Sequence, residues 1–584
     1  MEFFNQKRVT SLLALVLVSQ SCSTPSSTRS PSSDQPESKF DVVINGGDES
    51  SFYPPITGTP VRDEGEFDVI IVGGGLAGLT SAVYLGERGK SVFLLEKEKH
   101  FGGLASGTRT ENGTRYDRGA AYWTDAYEEE LEILKHIGLG DFKEKDAIAE
   151  PIDSYLWNGK LYEGIWEDET LKELPASFEV FKHELVKGNE AGLFPNQPIE
   201  ESKKLQLDAI SAETWIKRMP AKLSKRKDEE SLKIYARFKS EVASGRIKAK
   251  DPMRDVIDML DLYCRSALGT RANGVSAVAF GNFYISEIET RFTTPIGTGR
   301  AAKNMEKILR DLPNVVLSKL TPVGKIVPRK NSVDVYYNKN GDTRIAKAKF
   351  VIFAGQIKLA PKMIEGFERD SPEQAHLMSD LGYSHYSVHV AQIKGHPYRA
   401  TYDTWTRGAD YTEEDFTDVI LGRWMDPAIK GYEGMRDFSK NPSDDHGIMT
   451  IYHPLPPSWL GTGYTDEQVI RQAKSSVQRM LQIYNPLLKE KWGTQIEVQK
   501  VEANRWPYSV HIAAPGHFTG RAKILRKPYG RIFFAHSNIG TPAFEEALFR
   551  GHCAANNVLT KMSKVFVQES WTNCPIDTLE NKKP

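Results

Sequence analysis

Cysteine is scarce: Cys22, Cys264, Cys553 and Cys574 are the only 4 in a chain of 584 residues. No two form a C-x-x-C pair, which argues against a structural zinc site or a disulfide framework. Cys553 falls on a predicted buried helix and reads as a small core residue. Excess charge of one sign is also missing, since 76 Lys and Arg face 77 Asp and Glu. A balanced chain has no polyelectrolyte signature, so nucleic acid is not an expected partner. Nor is there a run of about 18 apolar residues, so no helix of the mature chain is expected to span a membrane. Metal-ligand spacing is equally thin. His385 and His389 could pair on a helix, but "HYSVHVAQI" reads as a strand, where the same spacing leaves the rings further apart. No metal is expected.

The first residues differ from all the rest. "MEFFNQKRV" carries Lys7 and Arg8, "VTSLLALVLV" supplies a short apolar core, and "SQSC" ends at Cys22. A basic start, a short apolar segment and small residues at the cut make residues 1–21 a secretory signal. The segment also resembles a bacterial lipoprotein signal, in which the cysteine after the cut is lipidated. Ser19 and Gln20 depart from that motif, and ordinary cleavage leaving a free Cys22 is the alternative. Lys7–Arg8 in place of two arginines leaves the export route open. Residues 22–65 follow as a Ser-, Thr- and Pro-rich tether, with nothing to bury, and then a short extended segment. The expected product is an exported, lipid-anchored protein of the bacterial envelope, facing the periplasm and held at a membrane surface through Cys22.

Two stretches almost rhyme: "FDVVINGG" from Phe40 and "FDVIIVGG" from Phe67. Only the second continues into a third glycine and a helix. Val69 to Val72 form a β-branched run, as a parallel strand buried on both faces requires. Gly73, Gly75 and Gly78 then have G-x-G-x-x-G spacing. The first glycine permits the tight turn, the second lets a pyrophosphate approach the backbone, and the third lets helix and strand pack closely. Leu76, Leu79 and Val83 recur at helical spacing, and Gly89 ends the helix. Its N-terminus offers free N–H groups to phosphates. A second strand, "SVFLLE", ends at Glu96, placed to accept hydrogen bonds from an adenosine ribose. After "FDVVINGG" come prolines that preclude a helix, so the first copy reads as an extended segment pairing at a sheet edge.

Three later features favour FAD over NAD(P). "KEKHFGGLASG" brings a glycine pair at Gly102–Gly103, and "NVVLSKLTPVGKIVP" reads as a strand pair centred on Val323. "GRIFFAHSNIGTPAFEEALFRGHCAANNVL" reads as strand, loop and helix, with Thr541 as N-cap, Pro542 at the first helical position and Phe544, Leu548, Gly551, Ala555 and Leu559 on one face. With these motifs the chain resembles the flavin-containing amine oxidase superfamily, which includes monoamine and polyamine oxidases, protoporphyrinogen oxidases and carotenoid desaturases. The resemblance implies an α/β fold: a discontinuous FAD-binding Rossmann-type (glutathione-reductase-like) domain and a mixed α/β substrate domain. The FAD domain would comprise 66–150, 291–355 and 525–563, the substrate domain 151–290 and 356–524, and 564–584 a polar tail. It further implies that Gly73, Gly75 and Gly78 meet the pyrophosphate, Glu96 the ribose and Val323 the adenine. Gly102, Gly103 and Leu104 would lie along the cofactor, Ala121 near the isoalloxazine, Ser537 near the pyrophosphate and ribityl chain. Phe544 to Ala547 would direct the positive end of the last helix at the flavin.

The chain also departs from that family. His536–Ser537 stands where the last strand usually ends in Gly-Glu or Gly-Asp, and Leu104 where amine oxidases usually place an arginine. "LGYSHYSVHVAQI" has no lysine before Lys394, Ala543 and Ser509 stand at the places of the amine-flanking tyrosines, and the flavin-linking cysteine near Tyr508 is absent. FAD is therefore expected to be non-covalent, and an amine competes with an apolar polyene or porphyrinogen-like substrate. Tyr508, Trp506 and His385 are the catalytic candidates, each with core packing as the alternative. The expected activity is hydride transfer from a small organic substrate to flavin N5, with oxygen or a membrane quinone as electron acceptor. A non-catalytic binding protein retaining the fold is the competing reading; oligomeric state is not legible.

Overall fold

In the computed structural model the described residues lie between 40 and 563. Segments 47–55, 57–60, 110–114, 125–127, 140–147, 195–204, 395–402, 422–445 and 456–464, with a few shorter ones, fall outside the description. The signal, the tether, Cys22 and the tail 564–584 therefore lie outside the described residues.

Val69, Ile70 and Ile71 are fully buried, and the apolar run around them needs partners on both sides. The strand Val61–Val72 lies parallel between Val92–Leu95 and Asp342–Phe353, and Val315–Ser318 extends the parallel row beyond Val92–Leu95. Ile532–Phe534 joins Asp342–Phe353 in parallel, pairing Phe534 with Phe353. Val333–Lys339 and Val323–Pro328 complete this 7-stranded sheet as an antiparallel meander. Chain segments far apart in sequence thus end side by side at one edge, where open α/β sheets bind ligands.

Two helices close this half. The helix Leu76–Glu87 follows the glycine turn, and the closing helix Phe544–Ser563 packs against it. Phe544, Leu548, Ala555 and Leu559 are buried as their spacing demands. The closing helix begins at Phe544, later than the Thr541 cap expected from sequence. Thr541 instead donates its hydroxyl to Glu546 Oε2 at 3.3 Å, and the Ala543 N–H returns to the Thr541 carbonyl at 2.8 Å. This local turn consumes the groups that a cap at Thr541 would use.

The other half is built on an 8-stranded mixed sheet. Its centre is Tyr383–Lys394, antiparallel to both Glu497–His511 and His446–Pro454. The helix Asp466–Trp492, started by a Thr465–Gln468 capping box, buries Val469, Ala473, Val477, Met480, Tyr484 and Leu488 against one face. The first rhyming stretch forms Asp41–Asn45, the parallel edge strand beside Lys500–Asn504. Charged helices Ala212–Leu223, Glu229–Ala243 and Arg254–Ala267 enclose a separate apolar core.

Cys264 is buried and free, whereas Cys553, buried as the small core residue expected from its helix, is also disulfide-bonded. Helical periodicity reports burial, and it says nothing about whether a sulfur meets a second one. Among the described residues no helix is long and apolar enough to cross a membrane.

Candidate active site

The glycine turn is shaped by close approaches. Gly73 has φ +106°, and a Cβ there would stand 2.8 Å from the Ala354 carbonyl oxygen. At Gly78 a Cβ would sit 1.9 Å from the Gly73 oxygen, so the helix can start this close only without a side chain. Gly75 is the opposite case. A Cβ there would meet nothing within 4 Å, because that position opens onto a large cavity. Glu96 accepts the Gly74 N–H on Oε2 at 2.6 Å and the Glu98 N–H on Oε1 at 2.7 Å. Burial raises the Glu96 pKa even against these two hydrogen bonds. Gly102 donates its N–H to the Gly74 carbonyl at 2.8 Å, tying the glycine pair to the glycine turn.

The cavity runs along this edge. Gly73, Gly75, Glu96, Gly102, Gly103 and Leu104 line its first part. Ala121, Val323, Ser537, Phe544 and Ala547 line it too. Gly78 is absent from the lining and buried behind the turn. Of the three catalytic candidates only Trp506 faces the cavity, its Nε1–H donated to the Arg118 carbonyl at 2.6 Å. Tyr508 and His385 are not among the lining residues. Tyr508 has φ +53°, and the strand register slips between Ser384 and Tyr386 opposite it. That irregularity breaks the two-residue alternation, and the Tyr508 ring lies tilted 5.0 Å from His385 and edge-on 5.6 Å from Tyr383.

Part of the cavity lining is acidic and aromatic. Asp403 and Asp418, both buried, line it together with Trp405, Tyr386 and Tyr452. Behind them, Glu287 Oε1 accepts the hydroxyls of Tyr122 at 3.0 Å and Tyr263 at 2.9 Å. Asp153 Oδ2 accepts Trp405 Nε1–H at 3.3 Å. Burial, reinforced by the Glu287 charge, pushes the Asp153 carboxyl up, and burial pushes Glu287 up to about 8. Burial, reinforced by the Asp418 charge, pushes the Tyr386 hydroxyl well above the usual phenol range, and the buried Arg265 only partly opposes this.

The family profile described as flavin containing amine oxidoreductase matches residues 76–559. The chain belongs to that family. Amine oxidase A of Sus scrofa is 37% identical over 76 residues, 13% of this chain and 14% of that protein. The chloroplastic/chromoplastic 15-cis-phytoene desaturase of Narcissus pseudonarcissus is 28% identical over 108 residues, 18% of this chain and 19% of its own length. The aligned stretches thus span under a fifth of these curated relatives. Among solved structures, cyclohexylamine oxidase from Brevibacterium oxydans superposes with TM-score 0.56 at 17% identity, covering 85% of this chain and 99% of that one. A putative protoporphyrinogen oxidase from Exiguobacterium gives 0.53 at 14% identity, covering 86% and 100%. At such identities the likeness is one of fold.

FAD is the cofactor of this family, and the residues present fit it. The open face at Gly75, the helix N-terminus behind it and the buried Glu96 carboxylate form a dinucleotide cradle. What sequence reasoning missed is the acidic part of the lining. Asp403 alternates with Trp405, and Asp418 with Ile420, so each acid shares the inward face of its strand with an apolar side chain. A carboxylate on the apolar face of a strand is costly, and that cost was the available signal.

Proposed function

We propose that this protein is an exported FAD-dependent oxidoreductase that oxidises a small alkylammonium substrate. One observation carries the substrate class: Asp403 and Asp418 line the same cavity as the dinucleotide cradle, beside Trp405, Tyr386 and Tyr452. Carboxylates among aromatic faces bind an ammonium group well and a polyene poorly. The bound flavin supplies the two-electron acceptor. The protein's own part is to seat the ammonium end against the two aspartates and to present the adjoining carbon along the wall formed by Trp506, Phe544 and Ala121. No cysteine stands among the described lining residues, which supports a non-covalent FAD. Electrons leave to oxygen or to a membrane quinone.

Export is supported by the signal-like residues 1–21 and by the disulfide at Cys553, since such bonds persist in oxidising compartments. Attachment through a lipidated Cys22 would then keep the body at a membrane surface. The deciding experiment is anaerobic bleaching of the purified yellow protein by amines, polyenes and porphyrinogens. Bleaching by amines alone supports the reading. A colourless protein that binds no FAD on reconstitution, or bleaching confined to polyenes, overturns it.

A further inference from the structure

His536 stands two residues beyond Phe534, the last residue of its strand. Phe534 pairs with Phe353, and Phe353 with Val72, so the residues just past all three strand ends, His536, Gly355 and Gly73, gather at one edge and line one cavity. The side chain of His536 is half-buried there. Its Nδ1 accepts the Asn538 backbone N–H at 3.1 Å. A backbone N–H can only donate, so Nδ1 carries no proton. Burial, with the neighbouring His511 adding to it, lowers the imidazole to about 3, so the ring is neutral near pH 7. A neutral imidazole with a bare Nδ1 keeps its one proton on Nε2. His511 does not compete for that proton. It donates from its own Nε2 to the Gly540 carbonyl at 2.9 Å.

We propose that His536 is a cofactor-binding residue whose Nε2–H donates to an oxygen on the pyrophosphate–ribityl stretch of bound FAD. Its Asn538 hydrogen bond fixes the tautomer, and Ser537 stands beside it in the same lining. The contact is that of a neutral donor. It selects an oxygen acceptor without adding a charge, and it works at any pH where the ring stays neutral.

The test titrates apo-protein with FAD and follows quenching of flavin fluorescence. His536→Ala and His536→Leu each remove the donor and should weaken FAD binding about tenfold, the worth of one hydrogen bond to a charged or polar oxygen. His536→Gln keeps an N–H at the same reach and should stay within about threefold of the parent. Loss of fold in one donor-free variant leaves the other to decide, and thermal melting of each apo-protein reports that. The ratio of the parent's affinity to that of the Gln variant should also stay flat between about pH 8 and about pH 5.5. Taking the ratio cancels titration elsewhere, Glu96 and His511 included. Unchanged affinity in the folded Ala or Leu variant overturns the proposal. So does a ratio that climbs steadily as pH falls, because that is the mark of a protonated ring. Failure of the parent itself to bind FAD would instead count against the flavoprotein reading above.

Discussion

Gly551 of the closing helix lies directly on Ala77 of the first helix: a Cβ at 551 would stand 2.2 Å from the Ala77 carbonyl oxygen. Ser81 reinforces the contact by donating its hydroxyl to the Gly551 carbonyl at 2.7 Å. Backbone meets backbone here, so nothing flexible can yield. Gly551→Ala should push the two helices apart, destabilise the fold by about 2 kcal/mol or more and weaken FAD binding, because both helix N-termini line the cofactor cavity. A thermal melt with and without FAD measures both effects. An unchanged melting temperature would refute the tight contact.

Asp403→Asn and Asp418→Asn should each lower kcat/KM for the best amine roughly 10- to 100-fold, while FAD affinity stays at the parent level. Both aspartates sit on strands of the 8-stranded sheet, whereas Gly73 and Glu96 belong to the nucleotide motif of the other sheet, which is why the two readouts separate. Steady-state kinetics alongside flavin titration of the same preparations checks this. Equal loss of FAD binding would show instead that the acids hold up the cavity wall.

His389 is fully buried, and neither ring nitrogen has a hydrogen-bond partner among the described residues. Burial pushes it down to about 3, with the His453 ring 5.8 Å away. Its folded pKa is below the unfolded value near 6.5, so the unfolded chain binds the proton that the folded chain refuses. The stability contribution is therefore intact above about pH 6.5 and is lost as pH falls below it, at up to about 1.4 kcal/mol per pH unit. His389→Phe should remove that penalty. Urea midpoints at about pH 7.5 and about pH 5.5 should diverge between parent and variant by this amount. Parallel behaviour would contradict a buried neutral ring.

Cys264 is free and Cys553 is disulfide-bonded, and the other cysteines of the sequence, Cys22 and Cys574, lie outside the described residues. Acylation of Cys22, as proposed above, leaves Cys574. Peptide mapping of protein recovered from the envelope without reductant should therefore yield a Cys553–Cys574 cross-link. A Cys22–Cys553 cross-link would rule out the lipid anchor.

The cofactor half was legible because its constraints are local. A turn that must pass beneath a carbonyl at 2.8 Å, as at Gly73, leaves no choice of residue, and the strand that precedes it must be apolar on both faces. Gly102–Gly103 and the face of the closing helix were legible on the same grounds. The substrate half was not. Asp403 and Asp418 reach the cavity through strands whose pairing joins residues such as Asp418 and Tyr452, and no local pattern announces such a meeting. Tyr508 misled for a different reason: its positive φ breaks the strand's alternation, a local irregularity that a resemblance to the family's aromatic segment does not report. Thr541 carried the right chemistry for a cap and spent it on Glu546.

The strand Asp41–Asn45 has a practical bearing on how the protein can be shortened. A chain trimmed to begin at Phe67, where the nucleotide motif starts, would strip this strand from Lys500–Asn504 and leave that backbone ladder without its outer neighbour. The Asn45 amide, which donates to Glu502 at 3.2 Å, and the Gly46 carbonyl, which receives Arg505 Nη2 at 3.1 Å, would go with it. Bare ladders recruit other chains. The trimmed protein would keep every glycine of its nucleotide motif and still be lost to aggregation.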